Sequence, residues 1–153
     1  MLNRLLITVI FLTLFGCSSV EYSKCVTESR RSVIISWGDY DMKNNKVIHG
    51  YAVTTEMKVY NLADLSDSTM GEPLLKATDS VYCDMTDKLW NTIMEVQKLN
   101  VPADTVRFIR YSNPKTNISV NGFWNNKLKA IGSKEYREVF SILNTISPVK
   151  FEE

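Results

Sequence analysis

The feature that most constrains this chain is an uninterrupted apolar run close to its beginning. Residues 5–15 read Leu-Leu-Ile-Thr-Val-Ile-Phe-Leu-Thr-Leu-Phe, and Arg4 precedes them. A helix that spans the hydrocarbon core needs roughly 20 apolar residues, so this run is short for a permanent anchor. It also has no polar face, which a surface helix of a small domain needs. A positive charge before a short apolar core predicts a secretory signal peptide, so the fold must come from the residues that follow.

The four residues that end this segment, Leu14-Phe15-Gly16-Cys17, resemble the lipobox of bacterial lipoproteins. That pattern has an aliphatic residue, a small residue, Gly or Ala, and then an invariant cysteine. Leu14, Gly16 and Cys17 match it, and the position of Phe15 usually holds a small residue or Val. The resemblance implies cleavage between Gly16 and Cys17, with Cys17 lipidated as the new N-terminus. Ordinary secretion with cleavage nearby and an uncleaved transmembrane anchor are the alternatives.

The same resemblance implies where the domain is held. A lipoprotein cysteine carries two acyl chains on its glyceryl group and usually a third on its amine, whereas a single chain anchors only marginally. The membrane, contacted through the lipid on Cys17, is therefore an expected partner, and residues 17–30 are expected to be the lipidated cysteine and a tether. No Asp follows Cys17, which favours the outer membrane in the enterobacterial sorting pattern. We expect a membrane-anchored protein of the bacterial cell envelope, facing the periplasm or the surface.

The mature domain is electrically balanced. Removing residues 1–16 from the 153-residue chain leaves 137 residues, enough for one domain with a sizeable core. The whole chain has 18 Lys and Arg and 17 Asp and Glu, and the leader removes only Arg4. A neutral domain lacks the basic stripe that nucleic-acid binding requires, so we expect no nucleic-acid partner.

Two cysteines remain beside the lipidated one. Outside the cytoplasm cysteine pairs tend to oxidise, so a disulfide between Cys25 and Cys83 is the simplest assignment. Closing a loop of that size stabilises a fold by roughly 3–4 kcal/mol in the chain-entropy model. Two unpaired thiols are the alternative, because sequence alone does not give the distance between them.

Hydrophobic periodicity predicts a single α+β domain over residues 31–153. Alternating apolar and polar residues predict strands at 31–37, 47–54, 57–62, 105–111 and 117–124, with a further short candidate at 74–77. Helical spacing predicts helices at 87–99, capped by Thr86, and at 134–146, capped by Ser133. The order β-β-β-α-β-β-α favours an antiparallel sheet of about five strands with both helices packed on one face.

No catalytic, metal or cofactor motif stands out. The only histidine, His49, lies within a predicted strand, where packing in the sheet is the simplest interpretation. Asp39 and Asp41 have the alternate spacing of calcium ligands, but the Gly and the distal Glu of a calcium loop are missing. The chain also lacks G-x-S-x-G, S-x-x-K and the glycine-rich phosphate loops. We therefore predict no catalytic residue, no metal site and no cofactor.

Aromatic residues are the one candidate binding feature. Most of them lie at core positions of the predicted elements, but Tyr60, Tyr111 and Trp124 lie near strand ends and form a candidate exposed patch. The leading hypothesis is a non-enzymatic, lipid-anchored domain that binds an envelope protein or polymer. A small enzyme or enzyme inhibitor is the first alternative, and a structural spacer is the second. An enzyme would show a deep pocket with convergent polar groups, whereas a binding module would show an exposed aromatic or apolar patch.

Lipidation can be tested directly in the bacterium. Labelled palmitate is expected to enter the wild-type protein and not the Cys17→Ala variant, because the thioether to the acylated glyceryl group forms on that sulfur. The measurement is autoradiography of the immunoprecipitated protein. Absence of label from the wild type as well would show that the position of Phe15 defeats the signal.

Overall fold

The described part of the chain is one sheet with two helices. The computed structural model describes residues 20–66, 70–96, 98–101 and 103–152, so the predicted leader and Cys17 lie outside it. These residues confirm the predicted α+β class. Neither helix in these ranges has the length and the apolar character needed to cross a membrane.

The sheet has seven strands, and a long one of the seven lies at its centre. They are β1 (Ile34–Asp41), β2 (Lys46–Thr54), β3 (Lys58–Asn61), β4 (Leu75–Lys76), β5 (Leu99–Asn100), β6 (Thr105–Asn113) and β7 (Ile118–Trp124). Their spatial order is β4-β3-β2-β1-β6-β7-β5, and every pair is antiparallel except β5 with β7. The helices are α1 (Asp79–Glu95) and α2 (Ser133–Thr145).

The sheet differs from the prediction at its two edges. The prediction of about five strands, all antiparallel, is wrong, because β4 and β5 add two strands and β5 runs parallel to β7. Strand β4 lies within the candidate segment 74–77, whereas Leu99 was expected to end a helix. Both edge strands have two residues, which is too short for alternation to be visible in a sequence.

Helix α1 begins eight residues earlier than predicted. Its N-cap is Thr78, whose hydroxyl accepts a hydrogen bond from the backbone N–H of Val81 at 3.4 Å. The predicted cap, Thr86, is instead buried within the helix and donates to the carbonyl of Tyr82 at 2.7 Å. The prediction failed because the first two turns carry only two buried apolar residues, Tyr82 and Met85, separated by polar ones. Leu89 and Ile93 continue this buried face in the later turns.

Two glycines place α2 on the sheet. Gly132, at φ 78°, is the N-cap of α2 in place of the predicted Ser133, which is the first helical residue. Glycine adopts this left-handed conformation without strain, so the chain can turn sharply into the helix. Gly122 on β7 lies against the ring of Tyr136, where a Cβ atom would collide with the ring. This contact allows α2 to approach β7 closely.

Each face of the sheet carries its own apolar cluster. The larger cluster joins both helices to one face, which agrees with the prediction that the helices share a side; its sheet residues include Ile35, Trp37, Val53, Ile109 and Trp124. Alternate residues point to the opposite face, where a smaller cluster forms around Tyr40, Ala52 and Phe108. Leu62, Leu65 and Met70, from the connection between β3 and β4, pack on this second cluster.

Part of the segment that was expected to be a tether is attached to the domain. Cys25 and Cys83 lie at disulfide-bonding distance, with their Cα atoms 5.7 Å apart. The hydroxyl of Ser23 donates to a carboxylate oxygen of Asp79 at 2.6 Å, and the backbone N–H of Lys24 donates to the same oxygen at 2.9 Å. These hydrogen bonds lower the pKa of Asp79, and they attach residues 23–25 to the first turn of α1.

Removing the disulfide is expected to destabilise the fold. The two cysteines are 58 positions apart, and opening a loop of that length costs about 4 kcal/mol in the chain-entropy model. The double variant Cys25→Ser/Cys83→Ser should therefore unfold at a lower urea concentration than the oxidised wild type. Wild type treated with reductant is the matched control and should unfold like the double variant. Equal midpoints for the oxidised wild type and the double variant would contradict the pairing.

Candidate functional site

A cavity of about 500 Å³ lies beside α2 and is lined by described residues. Its walls come from α2, from the ends of β6 and β7 that lie next to each other, and from the loop that joins β7 to α2. The side chains that determine its chemistry are Arg107, Trp124, Lys129, Lys134, Arg137 and Phe140. A cavity of this size is in the range that holds small organic ligands.

Arg107 on β6 is a buried charge, with 8% of its surface exposed. Its Nε donates to a carboxylate oxygen of Asp39 on β1 at 3.2 Å, and its Nη2 donates to the carbonyl of Glu152 at 2.8 Å. The guanidinium carbon lies 4.6 Å from the ring centre of Phe140 and 5.7 Å from that of Phe151. Arg107 therefore links the sheet, α2 and the last described residues at one wall of the cavity.

Arg137 on α2 fixes the loop that borders the cavity. Its Nη1 donates to the backbone carbonyl of Asn126 at 3.0 Å and to the side-chain oxygen of that residue at 2.9 Å. Its Nη2 donates to the carbonyls of Asn125 at 2.9 Å and Leu128 at 2.7 Å. Four of its five donor hydrogens are thus used. Its Nε is buried and has no hydrogen-bond partner among the described residues.

Trp124 at the end of β7 is completely buried and lines the cavity. Its ring packs edge-on against Phe140, with centroids 5.7 Å apart, and lies 6.0 Å from the ring of Tyr136. These contacts hold the indole in place. Its Nε1 is buried and, within the described part of the chain, no acceptor lies within hydrogen-bonding distance. This nitrogen is therefore enclosed by protein and is not open to the cavity.

The cavity is electropositive. Four cationic side chains line it, and the one carboxylate among the lining residues is Glu138. Glu138 accepts a hydrogen bond from Lys88 on α1 at 2.9 Å, which lowers the pKa of this carboxyl and compensates its charge. Burial lowers the pKa of Arg137, and the positive charge of Arg107 lowers it further. The two guanidinium groups therefore repel each other across a partly buried space.

The predicted aromatic patch is wrong. Trp124 is fully buried, and Tyr111 is 5% exposed and packs against Trp90 with ring centres 5.9 Å apart. Both side chains face the helices. Tyr60 alternates with buried Val59 on β3 and lies on the opposite face, three strands away from β6. Strand ends are covered here by α1, α2 and the chain after α2, so position near an end did not imply exposure.

The other candidate residues have structural partners. His49 contacts the hydroxyl of Tyr51 through Nε2 at 2.8 Å, and its ring lies 4.6 Å from that of Phe151. Asp39 is paired with Arg107, and Asp41 accepts hydrogen bonds from the backbone and side-chain N–H groups of Asn44 at 2.9 and 2.7 Å. In the described ranges, no three His, Cys, Asp or Glu side chains form a group that could hold a metal ion.

Sequence reasoning missed the cavity residues, although one signal was present. Arg107 alternates with Ile109 and Tyr111 along the same strand. The alternation therefore puts its side chain on the face of the sheet that packs against the helices. A charge at such a position must be paired or placed beside a cavity, because an isolated buried charge is very costly. Arg137, by contrast, looks like any exposed helical arginine, and its clamp on residues 125–128 depends on tertiary structure.

Comparison of the chain with protein-family models, with curated proteins and with solved structures gives no match. The interpretation of the cavity therefore depends on its own geometry and charge.

The clamp of Arg137 can be tested by substitution. Arg137→Met is expected to lower the free energy of unfolding by about 2–4 kcal/mol, because several partly buried carbonyls lose a charged donor. The measurement is urea unfolding followed by circular dichroism. The matched control is Lys134→Gln, one turn earlier on the same helix and exposed, which should change stability by less than about 0.5 kcal/mol. Equal effects of the two substitutions would contradict the clamp.

Proposed function

We propose that this chain is a lipid-anchored protein of the bacterial cell envelope whose domain binds a ligand in the cavity beside α2. The observation that carries this proposal is the charge of the cavity lining, which holds four cationic side chains and a single carboxylate, Glu138, that is already paired with Lys88. Like charges in a partly buried space repel each other more strongly than in water. A ligand that offers acceptor groups to these side chains reduces the repulsion, which is a physical reason for the arrangement.

The lining favours binding over catalysis. Its carboxylate, Glu138, is engaged by Lys88, and the hydroxyl of Ser133 donates to the carbonyl of Ala130 at 2.6 Å. A nucleophile or general base would need to be free to exchange a proton with a substrate. Ser141 also places a hydroxyl in the wall, but the lining holds no histidine and no unpaired carboxylate that could activate it. The other polar groups are cationic side chains and amides, which orient and hold a ligand.

The location of the cavity suits an anchored binding domain. Ser23, which lies within the segment proposed as the tether, donates its backbone N–H to the carbonyl of Thr55 at 3.0 Å, beside the start of β1. Arg107 pairs with Asp39, close to the other end of β1. Five residues of strand between Ile34 and Asp39 correspond to about 17 Å. The proposed tether and the cavity thus lie towards opposite ends of the sheet, which leaves the cavity accessible when the lipid is in the membrane.

The proposal predicts a cavity-dependent partner. The lipidated wild-type protein, purified from its own envelope after mild crosslinking, should co-purify with a specific molecule, and Ser141→Trp should abolish this. Ser141 is exposed and lines the cavity, so a tryptophan there fills the space without disturbing the core.

The matched control is Thr145→Trp, which adds the same ring to an exposed position of α2 that does not line the cavity. It should retain the partner. Co-purification that survives Ser141→Trp would overturn the proposed function, because the partner would then bind elsewhere. Absence of any specific molecule from the wild-type sample would favour a structural spacer.

A further inference from the structure

The charge of the cavity indicates the chemistry of its ligand. The guanidinium groups of Arg107 and Arg137 both belong to its wall, together with Lys129 and Lys134 from the rim. Asp39 compensates Arg107 from the sheet side, and Glu138 is already paired with Lys88. The positive charge of Arg137 and the two lysines therefore remains uncompensated in the lining. An anion placed between these groups would relieve their mutual repulsion, and the interaction is stronger in a partly buried site than in water.

The donors that remain free in the lining suit a group with several acceptor lone pairs. Lys129 and Lys134 are exposed and bring two ammonium groups to the rim of the cavity. Arg107 uses Nε and Nη2, while its Nη1 has no acceptor among the described residues. A carboxylate or a phosphate can accept from donors of this kind at the same time, and charge-assisted hydrogen bonds of this type are about twice as strong as neutral ones.

The N-terminus of α2 adds to the positive potential. The helix has 13 residues, its Gly132 cap provides no side-chain acceptor, and Ser133 and Lys134 from its first turn line the cavity. The first backbone N–H groups of a helix carry a partial positive charge that favours anions. This contribution is secondary here, since the cationic side chains of the lining already favour an anion.

Part of the cavity wall is apolar, although amide and hydroxyl side chains line it as well. The rings of Trp124 and Phe140 form part of its wall, and Ala130 adds a small apolar side chain. The loop at the rim also exposes two large apolar residues, Leu128 at 53% and Ile131 over its whole surface. A ligand that only carried charge would leave this surface uncovered, so the bound molecule should combine an anionic group with an apolar body.

We propose that the cavity binds a small solute or chain end with a carboxylate or phosphate group on an apolar body, held by Arg107 Nη1, Lys129 and Lys134 beside the positive charge of Arg137. This inference rests on the proposed function, and it names the ligand class of the same site. Because the cavity and the proposed tether lie towards opposite ends of the sheet, the anion comes from a partner or a solute and not from the lipid headgroups around the anchor.

The test uses the full lipidated chain in zwitterionic phosphatidylcholine nanodiscs and isothermal titration calorimetry. The probes are benzoate and phenyl phosphate, with benzamide as the neutral counterpart of benzoate and empty nanodiscs as the blank. At least one anion should bind about tenfold or more tightly than benzamide, because charged hydrogen bonds replace neutral ones. Its affinity should fall as salt is raised from 20 to about 200 mM, since the exposed lysines are screened.

Two variants and a control locate the binding. Ser141→Trp fills the cavity and should remove binding of the anion, and Lys129→Gln/Lys134→Gln removes two charges at the rim. The rim variant should weaken the anion by about threefold to tenfold and leave benzamide unchanged. Lys115→Gln is the matched control, because Lys115 is exposed in the turn between β6 and β7, at the opposite end of the sheet from the cavity.

The inference would be overturned if benzamide bound as tightly as the anions, if neither anion bound, or if Lys115→Gln weakened binding as much as the rim variant. Failure of the inference remains distinguishable from failure of the proposed function. If Ser141→Trp removes the partner but the anions show no preference, the cavity binds a ligand of another chemistry. If the partner survives Ser141→Trp, the proposed function fails, whatever the anions do.

Discussion

The buried guanidinium of Arg107 is the interaction on which the arrangement of this domain depends. It stands at the inner face of the sheet, where an unpaired charge would cost several kcal/mol. Asp39 on the neighbouring central strand and the carbonyl of Glu152 provide its acceptors, and Phe140 and Phe151 cover its faces. Satisfying this one charge therefore requires β1, β6, α2 and the chain after α2 to meet at a single end of the sheet.

That requirement also explains why a cavity persists there. The chain after α2 is held by Asn144, whose side chain donates to the carbonyl of Phe151 at 3.1 Å and accepts from its N–H at 2.9 Å. Arg137 holds the loop on the other side of α2. Both borders of the cavity are thus fixed by hydrogen bonds, and the space between them does not need to close to satisfy backbone groups. The cavity therefore stays open between two fixed borders, with four cationic side chains in its lining.

The long elements could be predicted from the sequence. The short elements, and the features that depend on tertiary contacts, could not. The strands β1, β2, β6 and β7 and the buried stripe of α2 follow directly from period-two and helical patterns of apolar residues. The start of α1 was missed because polar residues separate its first buried positions. Strand β5 was missed because two residues are too few to show an alternation of apolar and polar side chains. In the candidate site, Trp124 was expected to be exposed because aromatic residues are common at binding surfaces. Its side chain is buried, and this burial depends on α2 lying over Gly122. Arg107 could have been noticed, since it is a charge in the inward register of a strand.

The most direct test of this account is the indole region of a ¹⁵N–¹H spectrum of the protein during titration with benzoate. The chain has three tryptophans, and Trp37 already donates its Nε1–H to Ser147 at 2.8 Å. The account predicts that the Nε1–H resonance of Trp124, assigned by its loss in Trp124→Phe, shifts on binding because Trp124 belongs to the cavity wall, while that of Trp37 stays in place. Binding of benzoate with no movement of the Trp124 resonance would contradict the account.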